Sequence, residues 1–399
     1  MFYMDMTNTD FNIIFKSEVV GVWVVKPDKS EKACLLAKLP STATKRLRDG
    51  CKVELFICLS GKFAALSMMI HDSIDQPLLI PMAVRTTKEL NGWLSLFDHN
   101  EISISIFDEF SALTMSGSAV LKIESNTALS ENDLSAIKLP NSFDEMEETI
   151  SSMCHAINPD YGTKLFREVK LTRSTLTLSL NPTLVISADE SSVFNYDVND
   201  QDEGATQEKN LYQQLQLHFE QEVYLSPQVE VGKKVRELID VLVQTDNTAL
   251  LFESKALCLN DSNEDSSYEK KVGKVNRHCM KALKQLEGAA KNYRKKHKLT
   301  NEFGNEIQRL SDKNIIGIIV ISEFCPHKDW MKVHEELLKK SSINKMHIVV
   351  IDLVEFMKNI KISSHKKVPL SYLLMQRFKA SIEHGTLNIT STDSSLPYH

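Results

Sequence analysis

Asp240 and the tripeptide Glu253-Ser254-Lys255 carry the strongest chemical signal in this sequence. Between them, strand-prone runs at Val235 to Gln244 and Thr248 to Leu257 flank Asp246-Asn247, two residues that tolerate positive φ and suit a tight turn. With the turn there, Asp240 falls directly opposite Glu253 on one face of a hairpin, with Cβ atoms roughly 4.5 to 5.5 Å apart. Facing carboxylates repel unless a cation lies between them. Hard oxygen ligands from only two carboxylates, with room left for water and phosphate, suit Mg2+, for which Mn2+ could substitute. Lys255 lies two residues beyond Glu253, so the strand's period of two puts its ammonium on the same face. There it could orient or deprotonate a water, or neutralise charge on a pentacovalent phosphate. The alternative is a surface hairpin in which Lys255 only pairs with Glu253; the apolar neighbours Leu250, Leu251 and Phe252 argue against full exposure.

The elements on either side of the hairpin must position these groups. Thr206 to Glu222 reads as a helix on which Glu208, three before Leu211 and seven before Leu215, lies on the inward face. Glu208 is equally a first-turn acid favoured by the helix dipole after a Thr206 cap. A long helix over Glu269 to Lys298 carries an apolar stripe of Cys279, Leu283, Leu286, Ala290 and Tyr293. Gln285 falls about 100° from Leu286, and Lys274, His278, Lys281 and Asn292 share its flank. That polar edge is therefore basic, and Lys291 joins Lys274, His278 and Lys281 as a candidate for contact with nucleic acid. Further on, Ile315 to Ser322 and His347 to Ile351 read as buried strands, with helices at Asp329 to Lys339 and Leu353 to Ile360.

Asp240, twelve intervening residues and then Glu253-Ser254-Lys255 resemble the motif of the PD-(D/E)XK, or restriction-endonuclease-like, nuclease superfamily. In that family a helix bearing a Glu precedes the catalytic hairpin and a helix bearing a Gln often follows it. The segment from Gln285 to Tyr293 is similar to the Gln-bearing motif of the RecB-like and Mrr-like branches. It departs from the commoner spacing, since Tyr293 lies eight residues after Gln285 rather than four, and packing is the default role for this tyrosine. No Pro precedes Asp240. The resemblance covers roughly residues 205 to 360. It implies a restriction-endonuclease-like α/β domain with a mixed central sheet, in which Glu208 holds a water or a second metal and Gln285 positions the phosphate strand. It further implies a metal-dependent nuclease, an endonuclease in preference to an exonuclease, with DNA favoured over RNA. Defence of a bacterium against foreign DNA follows by analogy. The competing function is a catalytically inactive nucleic-acid-binding or scaffolding protein that keeps the fold.

Residues 11 to about 125 are dominated by short alternating or β-branched runs, among them Phe11 to Phe15, Val19 to Val25, Val53 to Leu59 and Ile102 to Phe107, with a short helical candidate at Lys88 to Phe97. Phe143 to Ile157 has helical periodicity, and Val169 to Ile186 looks like two strands joined near Asn181-Pro182. The fold class expected is therefore α+β in two domains: a β-rich recognition or regulatory domain over 1–187, an acidic flexible linker over 188–204 and the nuclease-like domain over 205–399. A homodimer or a protein partner would be engaged through the first of these.

The 399 residues carry a formal net charge of −6, yet between Tyr268 and Thr300 eleven Lys or Arg face only Glu269 and Glu287. A basic island in an acidic chain is the electrostatic footprint of a nucleic-acid partner, or else a solvated helix face. Seven cysteines without a CxxC pattern remove the basis for zinc ribbons and disulfide scaffolds. With 13 glycines and neither GxxxxGK[ST] nor GxGxxG, an ATPase is not expected. No apolar run approaches the ~18 residues of a membrane helix. A cytoplasmic protein without a membrane partner is expected. Cys325, His327 and His334 cluster near one helix start but lack a fourth ligand, and read as surface groups.

Overall fold

A computed structural model describes residues 9–27, 32–72, 77–124, 129–161, 164, 166–188, 193–199, 203–219, 223–245, 247–256, 268–295, 297–309, 314–324 and 330–391. The backbone contacts divide these into two compact units, one ending at Asn199 and the other running from Glu203 to Ser391. Each combines helices with mixed sheets, an α+β architecture.

The first unit contains α1 (Thr9–Ser17), β1 (Gly21–Val25), β2 (Cys34–Lys38), α2 (Ser41–Arg48), β3 (Val53–Ser60), β4 (Phe63–Ile70), β5 (Leu78–Ala83), α3 (Thr87–Ser95), β6 (Glu101–Phe107) and β7 (Leu113–Ile123). It continues through α4 (Glu131–Ser135), α5 (Phe143–Ile157), β8 (Val169–Pro182), β9 (Val185–Ala188) and β10 (Val193–Tyr196). Eight strands form one sheet in the order β1-β2-β6-β7-β8-β3-β4-β5, antiparallel except where β2 meets β6. Every residue of β3 and β4 is buried, which is why these strands read as continuous apolar runs instead of alternating ones. At Gly92 a Cβ would stand 2.3 Å from the Val24 carbonyl oxygen, so α3 can lie this close to β1 only through a glycine.

Two expectations for this half are corrected and one is met. Phe11 to Phe15 is helix α1, not a strand: Phe11, Ile14 and Phe15 are buried at helical spacing, with Phe15 edge-on to Trp23 at 5.2 Å, while Ile13 is 50% exposed. The two strands expected over Val169 to Ile186 are β8 and β9, and the break between them falls directly after Pro182, whose missing N–H suits a strand end. The acidic linker is folded over 193–199. β9 and β10 pair as a hairpin, the Tyr196 hydroxyl donates to Asp108 Oδ2 at 3.3 Å, Val198 joins the main core, and Arg48 Nη1 donates to the Val198 carbonyl at 2.7 Å. Residues 189–192 and 200–202 of that segment lie outside the described ones.

The second unit contains α6 (Glu203–His218), β11 (Val223–Leu225), β12 (Gln228–Val231), β13 (Lys234–Glu237), β14 (Val241–Gln244), β15 (Thr248–Lys255), α7 (Tyr268–Arg294), β16 (Leu299–Thr300) and β17 (Asn314–Ile321). It ends with α8 (Met331–Asn344), β18 (His347–Asp352), α9 (Leu353–Lys366) and α10 (Leu370–His384), the last of which the sequence reading did not anticipate. Its central sheet has the order β11-β14-β15-β17-β18, antiparallel up to β15 and parallel from there on. A parallel step needs a crossover, and α7 and α8 supply the two crossovers. The two long strands expected at 223–231 and 235–244 are each broken. Ser226 takes φ 43° and Pro227 has no N–H, so the ladder stops at Leu225. The chain then leaves the central sheet to form β12 and β13, which with β16 make a separate three-stranded sheet, and re-enters at Leu238 and Ile239, both buried.

Candidate active site

β14 and β15 pair as Val241 with Phe252, Leu242 with Leu251, Val243 with Leu250 and Gln244 with Ala249. This is the register that the turn at 246–247 requires, although Asp246 itself lies outside the described residues. Asp240 stands one residue before β14. The last three residues of β15, Glu253-Ser254-Lys255, therefore extend past the end of β14 and are paired only on the other side, with Ile319, Val320 and Ile321 of β17. On the open side, the Ser254 N–H donates to Asp240 Oδ2 at 2.6 Å. The carboxylate thus satisfies the amide that the truncated ladder leaves over.

Strand alternation sorts the side chains between two faces. Gly317 of β17 pairs with Leu251, and a Cβ there would stand 3.1 Å from Leu286 Cδ1 of α7, so Leu251, Glu253 and Lys255 lie on the α7 face. Phe252 and Ser254 lie on the other. There Phe252 meets Phe356 of α9 edge-on at 5.8 Å, and Ser254 Oγ accepts from Gln207 Nε2 of α6 at 2.9 Å.

Asp240 and Glu253 are 8% and 1% exposed. Lys255 Nζ donates to Glu253 Oε1 at 2.5 Å and to the Ser254 carbonyl at 2.8 Å, and lies 3.9 Å from Asp240 Oδ2. Burial, then the negative charge of Asp240, push the Glu253 carboxyl up to about 7 against the opposing pull of Lys255. Burial likewise raises Asp240, with Lys255 and the Ser254 amide working the other way. Two buried carboxylates share a single ammonium, and the pair holds its second negative charge poorly. The exposed surface pair that the residue spacing also allowed is not what the chain builds. Among the described residues, no group of three or more His, Cys, Asp or Glu side chains could hold a metal. The donors that do converge are two hard carboxylates, and their unmatched charge is what a divalent cation with several waters of its own would offset.

The other expected residues are distributed as follows. Glu208 is half-buried on α6. Its neighbour Gln207, 7% exposed, reaches the motif strand. His278 is half-buried on α7, its pKa lowered by burial and then by the charges of Lys274, Lys281, Lys255 and Arg277, so this flank of the helix does face Lys255. Lys274 and Lys281 are exposed beside it. Lys291 is bonded to Glu287 at 3.1 Å, and Glu287 also accepts from Lys340 of α8 at 2.5 Å, which places Lys291 in an ion-pair network between two helices. Gln285 is exposed, seven residues beyond His278 and so about 10 Å further along the helix axis. Tyr293 has the packing role expected of it: it is buried, and its hydroxyl donates to Gln244 Oε1 at 2.7 Å. Cys325 and His327 lie outside the described residues, and His334, expected at the surface, is buried on α8.

The sequence reading missed three residues. Glu237, at the end of β13, raises the carboxyls of both Asp240 and Glu253 by its charge. The assumption of one strand over 235–244 hid it, because a continuous strand puts Glu237 three residues, and the opposite face, away from Asp240. Gln207 was legible, standing four before Leu211 and eight before Leu215 on the buried stripe of α6. Ser322, whose hydroxyl donates to Gln207 Oε1 at 3.0 Å, left no signal in sequence. The chain matches no protein-family model, no curated protein and no solved structure.

Proposed function

We propose that the second unit is a metal-dependent nuclease that hydrolyses phosphodiester bonds, an endonuclease with DNA as its favoured substrate. The observation that carries this reading is the convergence of Asp240, Glu253 and Lys255 at the open end of β15, two nearly buried carboxylates against one ammonium. The order of elements supports it as well, with the hairpin between a helix bearing Glu208 and a helix bearing Gln285, as the resemblance to the PD-(D/E)XK nucleases requires.

Asp240 and Glu253 would hold Mg2+ or Mn2+, which when bound supplies Lewis-acid charge to a phosphate oxygen. Lys255, whose ammonium stands between the two carboxylates, would orient the attacking water and stabilise charge on the pentacovalent phosphate. His278, Lys274 and Lys281 on the facing flank of α7 would contact neighbouring phosphates. Glu208 and Gln285 are assigned to a water or second metal and to the phosphate strand by the resemblance alone.

Labelled linear, circular and single-stranded DNA, and RNA, incubated with the protein with and without Mg2+, test the proposal. Cleavage that requires the metal and disappears in EDTA is expected, with nicking of the circular substrate marking an endonuclease. Retention of nucleic acid on the protein without cleavage under any of these conditions would establish a binding module instead.

A further inference from the structure

Ser254 is the joint on which both charged ends of the site hang. Its N–H holds Asp240 Oδ2 and its carbonyl accepts from Lys255 Nζ, so one peptide segment sets where the carboxylate and the ammonium point. That segment has no β14 partner beyond Phe252, and the ladder alone braces it on one side only. The second brace comes from behind. Gln207 Nε2 donates to Ser254 Oγ at 2.9 Å, and Gln207 Oε1 accepts from Ser322 Oγ at 3.0 Å. Ser322 follows β17 two residues after Val320, the partner of Ser254, and so emerges on the same α6-side face. The carboxamide of Gln207 is used at both ends. It links α6, the end of β15 and the end of β17 through Gln207 and Ser254, both buried, and Ser322, which is half-buried. Apolar side chains of similar volume would fill that space without any donor or acceptor left to satisfy. A polar strut bonded at both ends does something that apolar packing does not: it fixes the angle of a hydrogen bond.

We propose that Gln207 is a positioning residue for the reaction, acting through Ser254 to hold Asp240 and Lys255 in their mutual geometry; this rests on the nuclease reading above. Misplacement of reacting groups by a fraction of an ångström costs rate and not substrate affinity, because contacts to the substrate backbone lie elsewhere. The experiment measures kcat, KM, the Mg2+ concentration for half-maximal cleavage and the melting temperature of the full chain. The variants are Gln207→Leu, which keeps the volume, Ser254→Ala, which removes the hydroxyl and keeps the peptide, and the double substitution. Each single variant is expected to lower kcat about ten- to thirty-fold at unchanged KM and to raise the Mg2+ requirement. The double variant should be no slower than Ser254→Ala, since both break one linkage. Gln207→Leu cutting with wild-type kcat and wild-type Mg2+ dependence would overturn the proposal. So would independent, multiplying effects in the double variant, or losses that track the melting temperature with KM and kcat changing together. Wild-type protein that cleaves nothing in Mg2+ or Mn2+ would overturn the nuclease reading itself, and the positioning role with it. The first set of failures, seen against an active wild type, leaves the nuclease reading standing.

Discussion

Lys255 is the only ammonium that the described residues bring to Asp240 and Glu253, and it bonds Glu253 at 2.5 Å. Removing it leaves two buried carboxylates without their ammonium, and on the proposed mechanism removing Glu253 would leave a cation with one carboxylate ligand. Lys255→Ala and Glu253→Ala are therefore expected to lower the cleavage rate by at least about a hundredfold, the usual scale for a lost transition-state charge, with the fold intact by circular dichroism. Lys255→Ala protein cutting at the wild-type rate would remove it from the chemistry. The raised carboxyls give a second prediction at this scale. Glu253 is held near 7, so below that pH the pair carries a proton that a cation must displace, and above it the pair is already ionised. Mg2+ or Mn2+ binding should thus tighten as the pH rises from about 6 to about 8 and level off beyond. Calorimetry in two buffers of different ionisation enthalpy should register proton release at pH 6.5 and much less at pH 8.5. A flat pH profile would mean that neither carboxylate takes the metal.

At the scale of elements, α7 separates two kinds of basic residue that composition treats alike. Lys274 and Lys281 flank His278 on the side that feels Lys255, whereas Lys291 is tied to Glu287 beside Lys340. Substituting Lys274 and Lys281 together by Ala should weaken nucleic-acid binding and reduce its salt dependence by roughly one unit per lost contact. Lys291→Ala should change binding little, as an exposed i,i+4 pair contributes only tenths of a kcal/mol and already engages the charge. Equal effects at all three positions in filter binding across a salt series would show a diffuse basic face with no directed flank. The hairpin register was legible in sequence because the turn residues and the strand period leave one solution once the turn is placed. Helix α5 was legible because its apolar periodicity and the acids of its first turn, Asp144 and Glu145, agree. What was not legible depends on partners far along the chain. The aromatic and β-branched residues of α1 favour a strand by type, and only their burial beneath Trp23 selects the helix. The stretch around Tyr196 is polar enough for a linker, and what ties it to the first unit includes Asp108 and Arg48, some ninety and one hundred and fifty residues earlier, and the core around Val198. The strut through Gln207 joins three elements separated by 47 and 115 positions, beyond any local pattern.

For the whole molecule, the boundary moves from 187 to the far side of Asn199, and the candidate site lies within one unit. A fragment starting at Asp200 should fold and retain metal-dependent cleavage, while cutting the chain at 187 should destabilise the first unit by removing Tyr196 and Val198 from their buried contacts. Thermal unfolding of fragments ending at 187 and at 199 checks this: the shorter one should melt several degrees lower. Equal melting points would return 193–199 to the status of a linker.

The strand order of the first unit has a consequence for biosynthesis. β8, at the middle of the eight-stranded sheet, joins β7 to β3, yet it comes off the ribosome after both of them. Until residue 182 has emerged, the nascent chain can make β6–β7 on one side and β3–β4–β5 on the other, each with a long naked edge that only β8 can cover. At ordinary synthesis rates of ~5–20 residues per second, the interval from β3 to the end of β8 lasts seconds, long compared with hairpin formation. Ribosome-bound intermediates of this length are predicted clients for chaperones that shield exposed strands, and stalling translation between residues 130 and 165 should leave them captured or aggregated, whereas stalling well beyond Asn199 should release a closed sheet.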